Sequence, residues 1–267
     1  MLFSKPRIYL DYASAPPVLR EAISAMRKSE TLIGNPGAIH TEGVSAKKNL
    51  EDSRARIADI LGCKSGELIF TSGLTEANNL AILGFANSLE RTKRTLAETH
   101  WIASSIEHDS ILACFSEIER MGGSVSYVPP DERGIILPKT IEKALRAETV
   151  FLSVGWANNE IGIVQPLGKI ARILREYEKK HGTRITFHSD AGQAPLYLPT
   201  VVHSLGIDLL SLGGNKLYGP HGIGALYVGK NTSINSTVFG GKQEKGLRAG
   251  TEGVALAAGV AAAKALP

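Results

Sequence analysis

Two cysteines, Cys63 and Cys114, are all that this 267-residue chain contains. They show no metal-ligand spacing, and so few argue against a disulfide-stapled secreted scaffold. No apolar run approaches the length that spans a bilayer, and the N-terminus lacks the apolar core of a secretory signal. These absences point to the cytoplasm, with no membrane partner. The formal net charge of +4 comes without a basic cluster. That speaks against a nucleic-acid surface and leaves room for small anionic ligands. No internal repeat and no low-complexity linker divides the chain. Only the Ala-rich end departs in composition.

What remains is an ordinary globular balance, 43% hydrophobic and 21% charged, long enough for a substantial core. Ile8 to Tyr12 reads as a strand. Pro16 and Pro17 open a helix to about Ser29, since proline is tolerated in a first helical turn. Thr41 reads as the N-cap of a long helix that sets Val44, Leu50, Ile57, Ile60 and Leu61 on one face and stops at Gly62. Strands and helices then alternate. Strands are predicted at 67–70, 101–104, 124–128, 149–154, 184–188, 208–210 and 224–228, the last antiparallel. Helices are predicted to about Leu89, at 110–121, 138–145 and 166–180, and from Thr251 to Leu266. Such alternation argues for a mainly parallel sheet covered on both faces.

The stretch from Ile185 to Val228 carries the chemistry. One apolar run ends in Asp190; another leads into Lys216 within a Gly-rich turn. Ligands of open α/β sheets sit off the carboxyl ends of the strands, so the acid and the amine can face one pocket. A lysine that binds pyridoxal phosphate covalently, with an acid for the ring nitrogen, is the pair that cofactor requires. Each residue also has a plainer reading, as a helix cap or a solvated loop lysine. Thr71-Ser72-Gly73-Leu74-Thr75-Glu76, between a strand and a helix, presents free N–H groups suited to an anion, or simply caps the helix. Other strand ends carry Glu107-His108 and Asn158-Asn159, which also suit caps and turns.

These motifs resemble the cysteine desulfurases, within the class V aminotransferase group of fold-type I pyridoxal-phosphate enzymes. The resemblance rests on Tyr9-Leu10-Asp11-Tyr12, Gly34-Asn35-Pro36, Phe70-Thr71-Ser72-Gly73 with Thr75-Glu76, and Glu107-His108. It extends through Asn158-Asn159-Glu160-Ile161-Gly162, Asp190-Ala191-Gly192-Gln193, Lys216-Leu217-Tyr218-Gly219-Pro220 and Arg248-Ala249-Gly250-Thr251, in the family's order. It implies a three-layer α/β sandwich. Residues 16–267 would form the cofactor-binding large domain and residues 1–15 a segment of the small domain, whose C-terminal remainder is absent. Lys216 would hold pyridoxal 5'-phosphate, and Asp190 would partner its ring nitrogen. His108 would stack on the ring and shuttle protons. Gln193 and Asn158 would lie near the phenolic oxygen and substrate, Leu74 and Thr75 at the phosphate, and Asn35 near the substrate. Thr251 would reach the phosphate of a neighbouring subunit in a homodimer.

Departures accompany the likeness. Gly213-Gly214-Asn215 fills the slot where the family carries Ser-Gly-His or Ser-Ala-His, which implies a weaker phosphate grip. Leu74 replaces a usual alanine. The chain stops before the family's sulfur-accepting cysteine and its substrate-binding arginine, and neither Cys63 nor Cys114 maps to that cysteine. The implied function is conversion of L-cysteine to L-alanine, with sulfur passed to an acceptor or iron–sulfur scaffold protein. The rival readings are another class V aminotransferase or lyase, and a non-catalytic dimeric paralogue that binds pyridoxal phosphate. This chain alone is expected to bind the cofactor with little desulfurase activity.

Overall fold

The computed structural model describes residues 7–89 and 94–263; the start of the predicted lead-in and the end of the helix expected to reach Leu266 lie outside them. The strands are β1 (Leu68–Thr71), β2 (His100–Ser104), β3 (Ser124–Val128), β4 (Thr149–Ser153), β5 (Thr186–Asp190), β6 (Leu209–Gly213) and β7 (Gly224–Val228). They form one sheet in the order β1-β7-β6-β5-β4-β2-β3. β3, β2, β4, β5 and β6 run parallel, and β7 is antiparallel to both β1 and β6. β2 and β4 are buried along their whole length, as strands covered on both faces must be.

Alternation within the strands divides the core. Trp101, Ala103, Phe151 and Leu209 belong to one apolar cluster, and Ile102, Leu152, Phe187 and Leu210 to the other. Successive side chains point to opposite faces of a strand, so each cluster occupies one side of the sheet. The first cluster takes in α3 (Leu74–Ser88) and α4 (Asp109–Arg120). The second takes in α2 (Thr41–Leu61), α5 (Pro138–Ala144), α6 (Leu167–His181) and α8 (Val254–Ala262). α1 (Arg20–Glu30) packs against α8, and α7 (Val202–Leu205) is a single turn before β6. Among the described residues, no helix is long and apolar enough to cross a membrane.

Several expected boundaries move, each for a local reason. Ile8 to Tyr12 is not a strand: Tyr9 Oη donates to the carbonyls of Asp11 and Ala15, and the segment turns over the sheet edge. α1 begins at Arg20 rather than at the prolines, because a residue that precedes proline avoids the helical region and Leu19 is still extended. The Leu19 N–H donates to the Tyr218 carbonyl, which fixes where the helix enters. His40, not Thr41, caps α2; its Nδ1 accepts from the Gly43 N–H at 3.3 Å. Val44 is 55% exposed and off the apolar face, which starts at Ala46. β5 ends at Asp190 and β6 at Gly213, later than predicted, and α8 starts only at Val254.

Candidate active site

The carboxyl ends of β2, β4, β5 and β6 open into one cavity of about 790 Å³. The start of α3 and the residues entering β7 complete its wall. Asp190 stands at the last position of β5, and Lys216 in the 3-10 turn Gly214–Leu217 that follows β6. Parallel pairing of β5 with β6 sets Asp190 opposite Ser211, so the two strand ends emerge side by side. That juxtaposition brings the acid and the amine to the same opening.

Each group is held. Lys216 Nζ donates to the carbonyl oxygens of Ala13 and Ser14, both at 2.8 Å. Gln193 Nε2 donates to the same Ala13 carbonyl at 2.8 Å. Ala13 and Ser14, just past the segment predicted as a strand, therefore supply part of the site from their backbone. Asp190 Oδ2 accepts from Asn78 Nδ2 at 2.7 Å, and Oδ1 from the Gly192 N–H at 2.8 Å. His108 caps α4, its Nδ1 accepting from the Ser110 N–H at 3.1 Å. Asn158 donates to the Ile106 carbonyl at 3.0 Å, tying the loop after β4 to the loop after β2.

The first-turn N–H groups of α3 have no intrahelical acceptors and leave a positive dipole end at the cavity wall. Ser72, Gly73, Leu74 and Thr75 line that wall, with Asn215 and His221 near them. Gly224 lets β7 pass close beneath; a Cβ there would lie 2.6 Å from the Gly73 carbonyl carbon and from the Leu212 oxygen. Gly213 and Gly214 do not line the cavity. They sit behind it, and a Cβ on Gly214 would meet Val260 Cγ2 at 2.6 Å. Gly213 has ordinary extended backbone; a Cβ there would meet the Leu74 Cβ at 3.0 Å, a tight contact that Leu74 would have to relieve by a few tenths of an ångström.

Burial dominates the electrostatics. It raises the Asp190 carboxyl above its usual value, while the Asn78 hydrogen bond, the Gly192 N–H, and the charges of His108 and Lys216 pull it back. Burial also pushes Glu107 up to about 7, with the Asp190 charge adding and the Gly155 N–H opposing.

Of the residues singled out in the sequence, the cavity gathers Leu74, Thr75, His108, Asn158, Asp190, Gln193, Asn215 and Lys216. It does not gather Asn35, an exposed residue whose Oδ1 accepts from the Gly37 N–H, or the exposed Thr251. Sequence reasoning passed over Asn78, Ser110 and His221. The one available signal was a polar Asn78 at a buried position of an otherwise apolar helix face.

A lysine and a buried acid stand at the carboxyl edge of a mainly parallel sheet, facing a helix N-terminus, the edge where α/β folds of this type carry their ligand sites. The comparisons agree. The aminotransferase class V family profile matches residues 8–266. The chain is 41% identical over 252 residues to the cysteine desulfurase IscS of Dictyoglomus turgidum, covering 94% of this chain and 61% of that protein. It is 40% identical over 248 residues to the IscS of Methanosarcina thermophila, covering 92% and 59%. A solved structure of SspA in complex with cysteine superposes with a TM-score of 0.89 at 38% identity, covering 97% of this chain and 73% of that one. The chain belongs to the class V aminotransferase family. It spans about six-tenths of the length of the curated relatives it matches.

Proposed function

We propose that this chain supplies the pyridoxal-phosphate domain of a cysteine desulfurase that takes L-cysteine to L-alanine and passes the sulfur on. The observation that carries the reading is the meeting of Lys216, Asp190 and His108 in one cavity. The residues present fit the cofactor: an amine held only by backbone carbonyls, an acid supplied with donors on both oxygens, and a helix start for an anion. Lys216 would hold the aldehyde carbon through Nζ, Asp190 the protonated ring nitrogen, and Leu74, Thr75 and Asn215 the phosphate.

When bound, the cofactor draws electron density away from the substrate Cα. The chain's own residues bind, orient and move protons. Lys216 would take the proton from the substrate Cα, and His108, on the cavity wall, would move a second proton. Asn158 and Gln193 orient the substrate side of the site.

Residues 1–15 belong in this reading to the smaller domain and residues 16–267 to the larger. The molecule works in the cytoplasm as a homodimer, Thr251 reaching the partner subunit's phosphate site. Ile39 and Phe239, 98% and 86% exposed, offer apolar surface for that contact. A sulfur-acceptor or iron–sulfur scaffold protein receives the product. Asn215, in place of the family's usual histidine, is neutral, so the phosphate is held less tightly.

The test is spectroscopic. Addition of pyridoxal phosphate to the wild-type chain is expected to give the visible absorbance of a lysine-bound cofactor, and Lys216→Ala to abolish it. A wild type that shows no such absorbance, or a variant that keeps it, removes the reading.

A further inference from the structure

A single buried amide links Asp190 to the residue that bonds His108. Asn78, fully buried on α3, donates through Nδ2 to Asp190 Oδ2 at 2.7 Å and to Ser110 Oγ at 2.9 Å. Its own Oδ1 has no partner among the described residues. A buried amide oxygen left bare is costly, and the opposite amide orientation would turn that oxygen on the carboxylate. Both Nδ2 hydrogens are therefore spent, one on each acceptor.

The direction of the next link follows. The Ser110 backbone N–H can only donate, and it does so to His108 Nδ1, so that nitrogen carries no hydrogen. Ser110 Oγ lies 2.9 Å from the same Nδ1 and already accepts from Asn78. Its own hydrogen is thus the one aimed at the imidazole. The His108 proton is left on Nε2.

We propose that Asn78 is a positioning residue: its carboxamide fixes Asp190 as a hydrogen-bond acceptor, favouring the charged carboxylate, and, by turning the Ser110 hydroxyl, holds His108 in its Nε2–H form. The consequence for the cofactor rests on the function proposed above; the hydrogen-bond chain does not.

The charged and titratable groups around Asp190 are Lys216, His108 and Glu107. Carboxyl 13C and imidazole 15N NMR on the 267-residue chain, without cofactor, read the two ends separately. Asn78→Ala is expected to move the Asp190 midpoint upward and the His108 Nδ1 resonance toward that of an unbonded acceptor. Ser110→Ala is expected to move only His108, because Asn78 still donates to Asp190; Ser110→Thr, which keeps the hydroxyl, is expected to restore it. With pyridoxal phosphate added, Asn78→Ala is expected to weaken its binding about tenfold, the loss expected for one charge-assisted hydrogen bond. A wild-type His108 protonated on Nδ1 overturns the proposal. So does a folded Asn78→Ala with an unmoved Asp190 midpoint. If Asn78→Ala does not fold, an unchanged His108 signal in Ser110→Ala overturns it. Failure of the Lys216 absorbance test leaves these signals intact, so the two ideas fall separately.

Discussion

Replacing Glu244 tests the fold where its cost is most concentrated. Glu244 Oε1 accepts from Arg54 Nη2 at 2.6 Å, and Oε2 accepts from Arg54 Nη1 at 2.7 Å and the Phe70 N–H at 2.8 Å. The two side chains are 1% and 7% exposed. The Arg54 guanidinium also lies 4.6 Å from the centre of the Phe70 ring. Removing one member of such a pair strands the other, at a cost of about 3–5 kcal/mol. Arg54 keeps Glu51 at 3.1 Å, so Glu244→Ala belongs at the lower end of that range. In a chain of this size the midpoint of thermal unfolding should fall by roughly 6–12 °C. Backbone strain sharpens the test. Glu244 has φ 45°, a left-handed conformation that favours glycine. Glu244→Gly should therefore be less harmful than Glu244→Ala by about 1 kcal/mol, against the usual order. The pair Arg54→Leu with Glu244→Leu should cost less than the sum of its singles by roughly 2–3 kcal/mol. Urea unfolding with the midpoint and slope fitted separately measures all of these. A loss under about 1 kcal/mol for Glu244→Ala, or additive Leu variants, would refute the reasoning.

Three further outcomes follow from buried titratable groups. Glu107, pushed up to about 7 by burial, binds its proton more tightly folded than unfolded. Stability should therefore fall as pH rises from the usual carboxylate range through about 7, and Glu107→Gln should flatten that slope in urea titrations. Burial lowers His188 to about 3, so its contribution is present above its ordinary value and lost on acidification towards 3. His188→Asn should shrink the acid-side loss while lowering stability at neutral pH, since His188 bridges Ser153 and Ser211 at 2.9 Å each. Burial raises the Cys63 and Cys114 thiols to about 11 and about 12. Alkylation near pH 8 should be slow in the folded chain and fast in urea; rapid labelling of either in the native state would contradict that.

Legibility varied with the range of the interaction. Asp190 and Lys216 could be read because each ends an apolar run at a Gly-rich turn, a signal contained within a few residues. The strand at Ile8–Tyr12 was misread for the same reason: its composition suits a strand, but the segment pairs with none of the seven strands of the sheet. Tyr9 instead bonds the local backbone. Asn78 was illegible because its two acceptors lie 112 and 32 residues away along the chain. Asn35 and Thr251 are legible only by resemblance, and neither reaches the cavity of the single chain.

The order of strands and helices, and which of their ends carry polar groups, came from the sequence alone, because hydrophobic period and turn chemistry act between near neighbours. Folding decided which ends meet. Only the parallel register of β5 on β6 sets Asp190 beside the turn of Lys216, and only packing of α3 against α4 brings Asn78 to Ser110. Those contacts join distant segments across a core that excludes water, where the alignment of one strand or helix on another fixes every distance.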